Sequence, residues 1–128
     1  MPSSQKRTKL QVPDSLKLTL KEKADDIIEN TLKPKYIKPP PTENDFNYLV
    51  DIYSKWYRSY FYFCSKYNCP GPNAISSFDT KFARMEYVGS ENFNLSYMRH
   101  TEQWFEIYQR LSMLECLKLI AEEPDFIP

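Results

Sequence analysis

The sequence predicts an α+β domain: a three-stranded antiparallel meander packed against a long helix and a C-terminal helix, with an additional N-terminal helix. Three observations predict it. Large apolar side chains recur at helical three-and-four spacing from Phe46 to Cys64. Three segments between Lys81 and Leu111 alternate with period two and are separated by short turn-forming stretches. Ser112 with Glu115 three residues on, ahead of an apolar run, is a capping box.

In chain order, residues 1–13 contain the polar, basic stretch SSQKRTK and close on Pro13, which predicts a disordered basic arm. Residues 14–33 predict the N-terminal helix, its regular part from about Thr19 to Leu32. Leu20, Ala24, Ile27, Ile28 and Leu32 share one stripe, with Lys21, Glu22 and Asp25 opposite. KPKYIKPPP follows, and its prolines predict an extended connector over residues 34–41.

Residues 42–128 form the main domain. Thr42 followed by Glu43, Asn44 and Asp45 is a helix start. Phe46, Leu49, Val50, Tyr53, Trp56, Tyr57, Tyr60, Phe61 and Cys64 make the stripe of the long helix, which Pro70, Gly71 and Pro72 end by Asn68. The strands are Lys81 to Val88, Phe93 to Arg99 and Trp104 to Leu111, joined by the turns GSEN and HTEQ. Strict alternation in the last strand puts Phe105, Ile107 and Leu111 in the core. It sends Trp104 and Tyr108 to the second face with Arg84 and Arg110. The last helix runs from Met113 to about Glu122, buries Met113, Cys116, Leu117 and Ile120, and stops before Pro124.

Composition narrows the function. Of 128 residues, 41% are hydrophobic and 16% aromatic, enough for a core of large rings. Only two are glycine, too few for phosphate-cradling loops. Net charge is zero but uneven. Residues 1–40 hold nine Lys/Arg against five Asp/Glu, or +4, and residues 41–128 hold eight against twelve, or −4. No apolar run approaches the ~18 residues of a membrane span, and the polar start is unlike a signal peptide. The odd set Cys64, Cys69 and Cys116 lacks framework spacing. A soluble cytoplasmic protein with reduced thiols is expected.

Cys64, Cys69, Cys116 and His100 are the only soft metal ligands, and their spacing lacks the two close pairs of a structural zinc site. Cys64 and Cys116 are expected as small core hydrophobes, with no metal and no cofactor. A Cys–His nucleophile would need His100 beside a thiol, with Glu102 or Glu106 orienting it. A histidine on a surface turn is the expected state. Binding surfaces have better support: Trp104 and Tyr108, interleaved with Arg84 and Arg110 and next to Arg99 and His100, can stack rings or grip a peptide.

KFARMEY with FNLSYMRHTEQW, then LSMLECLKLI and DFIP, resembles a small uncharacterised bacterial family of cyanobacterial type. KPKYIKPPP adds to the resemblance, which covers roughly residues 30–128. That family has no established activity, so it implies no catalytic or ligand residue. The helix–three strands–helix order is also similar to the double-stranded-RNA-binding domain. SMLECLKL, however, lacks that domain's lysine pair at the helix start.

The expectation is a non-catalytic interaction module that docks a protein partner, or a second copy of itself, through its aromatic surface. One alternative is nucleic-acid binding through Lys6, Arg7, Lys9 and the sheet arginines. The other is an enzyme centred on His100.

Overall fold

Tyr48 to Pro70 form two strands, not one helix. In the computed structural model, which describes residues 10–40 and 46–128, β1 (Tyr48–Tyr57) and β2 (Tyr60–Pro70) pair antiparallel. The expected long helix is therefore a hairpin, and the sheet has five strands instead of three. The physical reason lies in composition: nine of the 23 residues are aromatic, with Val50 and Ile52 β-branched, and such side chains suit a pleated surface. The turn between the strands is Arg58-Ser59, without glycine. Arg58 itself takes the left-handed conformation at φ +57°, and the Ser59 carbonyl accepts the Tyr87 N–H at 2.9 Å. The Thr42–Asp45 helix start lies outside the described residues.

Three more strands follow: β3 (Ile75–Gly89), β4 (Asn92–Met98) and β5 (Trp104–Ser112). The sheet order is β1-β2-β3-β4-β5, an antiparallel meander. Both expected turns are present. Gly89 sits at φ +94° with Ser90 and Glu91 also left-handed, and Arg99 and Gln103 close the second turn. β3 begins at Ile75, earlier than its alternation predicts. Its first half pairs only with β2, because β4 reaches no further than Ala83. With two strands where a helix was expected, the order behind the similarity to a double-stranded-RNA-binding domain is absent.

The N-terminal helix is longer than expected. α1 (Asp14–Ile27) runs into a π-helical turn (Ile28–Leu32) and then α2 (Lys33–Tyr36). Pro34 therefore lies inside a helix, although its ring would clash with the carbonyl four residues back in a regular α turn. The wider π turn just before it gives the ring room. It also phases the stripe. Leu20, Ala24, Ile28 and Leu32 are spaced by four and overshoot an α-helical turn by about 40° each step, yet all are fully buried.

One face of the sheet carries the core. Ile52, Phe61, Phe63, Ala83, Met85, Phe93 and Leu95 pack there against the α1 stripe and against Cys116, Leu117 and Ile120 of α3 (Met113–Glu122). The expected capping box is formed. Ser112 Oγ accepts the Glu115 N–H at 3.1 Å, and Glu115 accepts the Ser112 N–H at 2.8 Å. After α3 the chain folds back, with Phe126 fully buried edge-on to Tyr97 and the Tyr67 hydroxyl donating to the Pro128 carbonyl at 2.6 Å. Val12, in the expected arm, belongs to the core; residues 1–9 lie outside the described residues. A polar clamp ties α1 to β1. Lys21 Nζ donates to the Ser54 carbonyl at 2.8 Å, and Ser54 Oγ donates to Asp25 at 2.6 Å. No helix among the described residues is long and apolar enough to cross a membrane.

Candidate functional site: the second face of the sheet

Alternation along each strand sends every other side chain to the face opposite the helices. On β1 these are Tyr53, Lys55 and Tyr57; on β2, Tyr60, Tyr62 and Cys64. Cross-strand register lines them up. Lys55 stands opposite Tyr62, Tyr62 opposite Arg84, Arg84 opposite Ser96, and Ser96 opposite Glu106. In the neighbouring row Tyr57, Tyr60, Glu86 and Asn94 follow one another.

Cations and rings interleave along this face. The Arg84 guanidinium lies 5.0 Å from the Tyr60 ring centre and 4.8 Å from that of Trp104. Lys81 Nζ is 5.3 Å above Tyr62, and Arg58 is 5.1 Å from Tyr57. Tyr62 meets Trp104 at 5.9 Å and stacks on Tyr60 at 6.0 Å. These contacts are the geometry of cation–π attraction. Among the described residues the salt bridges involve Lys21 and Lys33, while Lys55, Arg58, Lys81 and Arg84 make none. Arg84 Nε is buried without a hydrogen-bond partner among the described residues. A depression of about 350 Å³ opens between Lys55, Trp56, Tyr57, Tyr62 and Lys81.

The electrostatics follow from burial. Desolvation raises the Tyr62 hydroxyl above the usual range, against the opposing pull of Arg84. Burial likewise raises the Cys64 thiol, and nearby Lys55 and Lys81 draw it back. Tyr53 stays protonated well above its ordinary range, chiefly because its hydroxyl donates to Asp79 at 2.5 Å and then because it is buried. These groups are neutral at physiological pH, so the local charge comes from the cations and from Asp79, Glu86 and Glu106.

The residues singled out from sequence do not form one surface. Trp104 and Arg84 come together as expected. Tyr108 does not join them: it pairs with Leu95 while Glu106 pairs with Ser96, so Ile107 is an extra residue in a β-bulge. The bulge reverses the alternation, leaving Ile107 37% exposed and packing Tyr108 against the core. Arg110 is exposed at a second irregularity, with φ +55° and its N–H donating to Asn94 at 3.0 Å. Arg99 lies away from Arg84, 4.3 Å from the Phe105 ring, and Phe105 in turn stacks on Tyr97. His100 is exposed on the β4–β5 turn with no hydrogen bond to an acid or thiol among the described residues. Lys6, Arg7 and Lys9 lie outside the described residues. Lys81, at the start of the first expected strand, shares the alternation of Ala83 until the irregularity at Phe82 shifts it. Lys55, Tyr57, Tyr60 and Tyr62 were hidden by the helical reading. The signal that identifies them is the alternation of Tyr60 and Tyr62 with Phe61 and Phe63, hydroxylated rings outward and bare rings inward.

The three cysteines are free, Cys64 and Cys116 buried. Among the described residues no three His, Cys, Asp or Glu side chains cluster as metal ligands.

No curated protein and no solved structure matches the chain. A family model described as a domain of unknown function, DUF3024, matches residues 12–128, from the first buried side chain through the C-terminal tail. That span takes in the N-terminal helix, all five strands and the capped last helix, and the chain belongs to the DUF3024 family.

Proposed function

We propose that this protein is a non-catalytic interaction module that docks a negatively charged partner on the open face of its sheet. One observation carries the reading: Lys81 and Arg84 lie over Tyr62, Tyr60 and Trp104 and make no ion pair among the described residues. Large rings on the second face of a sheet are costly to leave facing water, and rings with unpaired cations favour a partner carrying both charge and flat surface. The free cysteines fit a reducing, cytoplasmic setting. His100 adds no support to a catalytic reading, since among the described residues it makes no hydrogen bond to a thiol or to an orienting acid such as Glu102.

The test is capture from cell extract. The native chain and an Arg84→Glu/Trp104→Ala variant, each confirmed folded by circular dichroism, are immobilised and exposed to the same extract. Material held by the first and lost from the second is the expected result. Equal retention by both would sink the reading.

A further inference from the structure

We infer that the ligand of this face is a single-stranded nucleic acid, with bases stacked on Tyr57, Tyr60 and Tyr62 and phosphates held by Lys55, Lys81 and Arg84. The inference rests on the docking reading above and names its ligand class.

Proteins that take single strands combine a cationic track with aromatic rings on which successive bases stack. Both parts occur here at matching spacing. Lys55, Tyr62 and Arg84 are consecutive across three strands of one ladder row, and Tyr57 and Tyr60 flank them in the next. Adjacent strands are about 4.8 Å apart, so cation, ring and cation repeat within the span of one or two nucleotides. The depression walled by Lys55, Tyr57, Tyr62 and Lys81, about 350 Å³, is at the small end of ligand clefts. Its lining includes two lysines and two tyrosine rings. Tyr57, 55% exposed, is the most open of these rings.

Other occupants fit less well. A duplex offers phosphates but keeps its bases stacked inside, leaving the rings unused. An acidic peptide satisfies the lysines but brings no planar group to the tyrosines. A second copy stacked face to face sets Arg84 and Lys81 against their own kind. Glu86 opposite Tyr60 and Asp79 opposite Lys66 bound the rows that hold Lys55, Arg84 and Lys81, and Glu106 lies beyond Ser96, so the strand's path runs between these anions.

The experiment is fluorescence anisotropy with labelled 12-nucleotide oligouridylate and oligothymidylate, a 12-base-pair duplex, and a labelled 12-residue polyglutamate, each at 50 and 200 mM salt. Single strands are expected to bind more tightly than the duplex. With about three phosphates neutralised, the fourfold rise in salt should weaken binding roughly 20-fold. Tyr62→Ala should weaken it about 5- to 100-fold, as expected for one lost stacking platform. Tyr62→Phe should restore it, and Lys118→Gln on α3 should change nothing. Both Tyr62 variants are checked for a native melting curve, and the Lys55→Gln/Lys81→Gln variant supplies an independent loss if Tyr62→Ala is unstable.

Undiminished binding by Tyr62→Ala overturns the inference, as does duplex binding equal to single-strand binding, or no single-strand binding at 50 mM salt. If polyglutamate alone binds, and loses affinity in Arg84→Gln, the docking reading stands and the nucleic-acid class falls. If no probe binds and the extract capture is also equal for both chains, both readings fall.

Discussion

Trp56 is the residue whose replacement tests the packing of the N-terminal helix most directly. Its indole is half-buried at the end of β1, 5.0 Å edge-on to Phe61, and Nε1 donates to the Lys17 carbonyl of α1 at 3.1 Å. Trp56→Ala removes roughly 130 Å² of ring from its packed setting, taking a share of the range for large aromatics, worth about 3 kcal/mol at ~25 cal/mol per Å². The edge-to-face pair adds about 0.5–1 kcal/mol. The hydrogen bond adds about 1 kcal/mol. The expected loss is therefore about 4–5 kcal/mol, and less if the unfolded chain already hides part of that surface. Trp56→Phe keeps a ring beside Phe61 and loses only the N–H donor. The Lys17 carbonyl remains within the helical ladder, so this change should cost about 1–1.5 kcal/mol. Urea unfolding followed by far-ultraviolet circular dichroism measures both variants, with unchanged m-values as the check on two-state behaviour. Equal losses for the two variants would mean that the hydrogen bond, and not burial, holds the helix there. A loss below about 1.5 kcal/mol for Trp56→Ala would refute the packing argument altogether.

Three further outcomes are expected. Ser112→Ala should cost about 1 kcal/mol by removing the cap of α3, and an unchanged melting temperature would count against the capping box. Ser65 Oγ is buried without a hydrogen-bond partner among the described residues, so Ser65→Ala should be neutral or stabilise by up to about 1 kcal/mol; a clear loss would reveal a partner for that hydroxyl. Burial pushes the Cys116 thiol from 9.0 up to about 12, so above pH 9 the unfolded chain gives up this proton before the folded one does. Stability should fall as pH climbs from about 9 toward 12, and Cys116→Ala should flatten part of that decline in melting curves taken across the range.

The parts of the fold that sequence predicts well are those whose local chemistry allows one answer. Gly89 and the Arg99–Gln103 stretch mark turns, and Ser112 with Glu115 marks a helix start; each is where it was expected. The first hairpin was illegible for a definite reason. Its turn uses Arg58 in a conformation usually given to glycine or asparagine, so no punctuation interrupts the aromatic run. With rings on both faces of the two strands, Tyr53, Trp56, Tyr57, Tyr60, Phe61 and Cys64 also fall at intervals of three and four, and the helical period was satisfied by coincidence. The candidate site inherited that loss, because three of its rings lie in this hairpin. Tyr108 was misplaced by a single inserted residue, Ile107, whose bulge is set by the partner strand and leaves no mark in the local pattern.

The cations over the rings have a consequence for how the protein behaves in solution. A chain of zero net charge gains little long-range repulsion between its copies. Keeping a sheet face of tyrosines and a tryptophan dispersed in water then falls to local groups. The Lys81 ammonium and the Arg84 guanidinium lie directly over those rings and put charge on a face that would otherwise be bare aromatic surface. Whatever docks there does so by exchange: it covers these charges and must supply an equally water-loving exterior of its own. The same few side chains thus keep the free protein dispersed and set what a partner must offer in return.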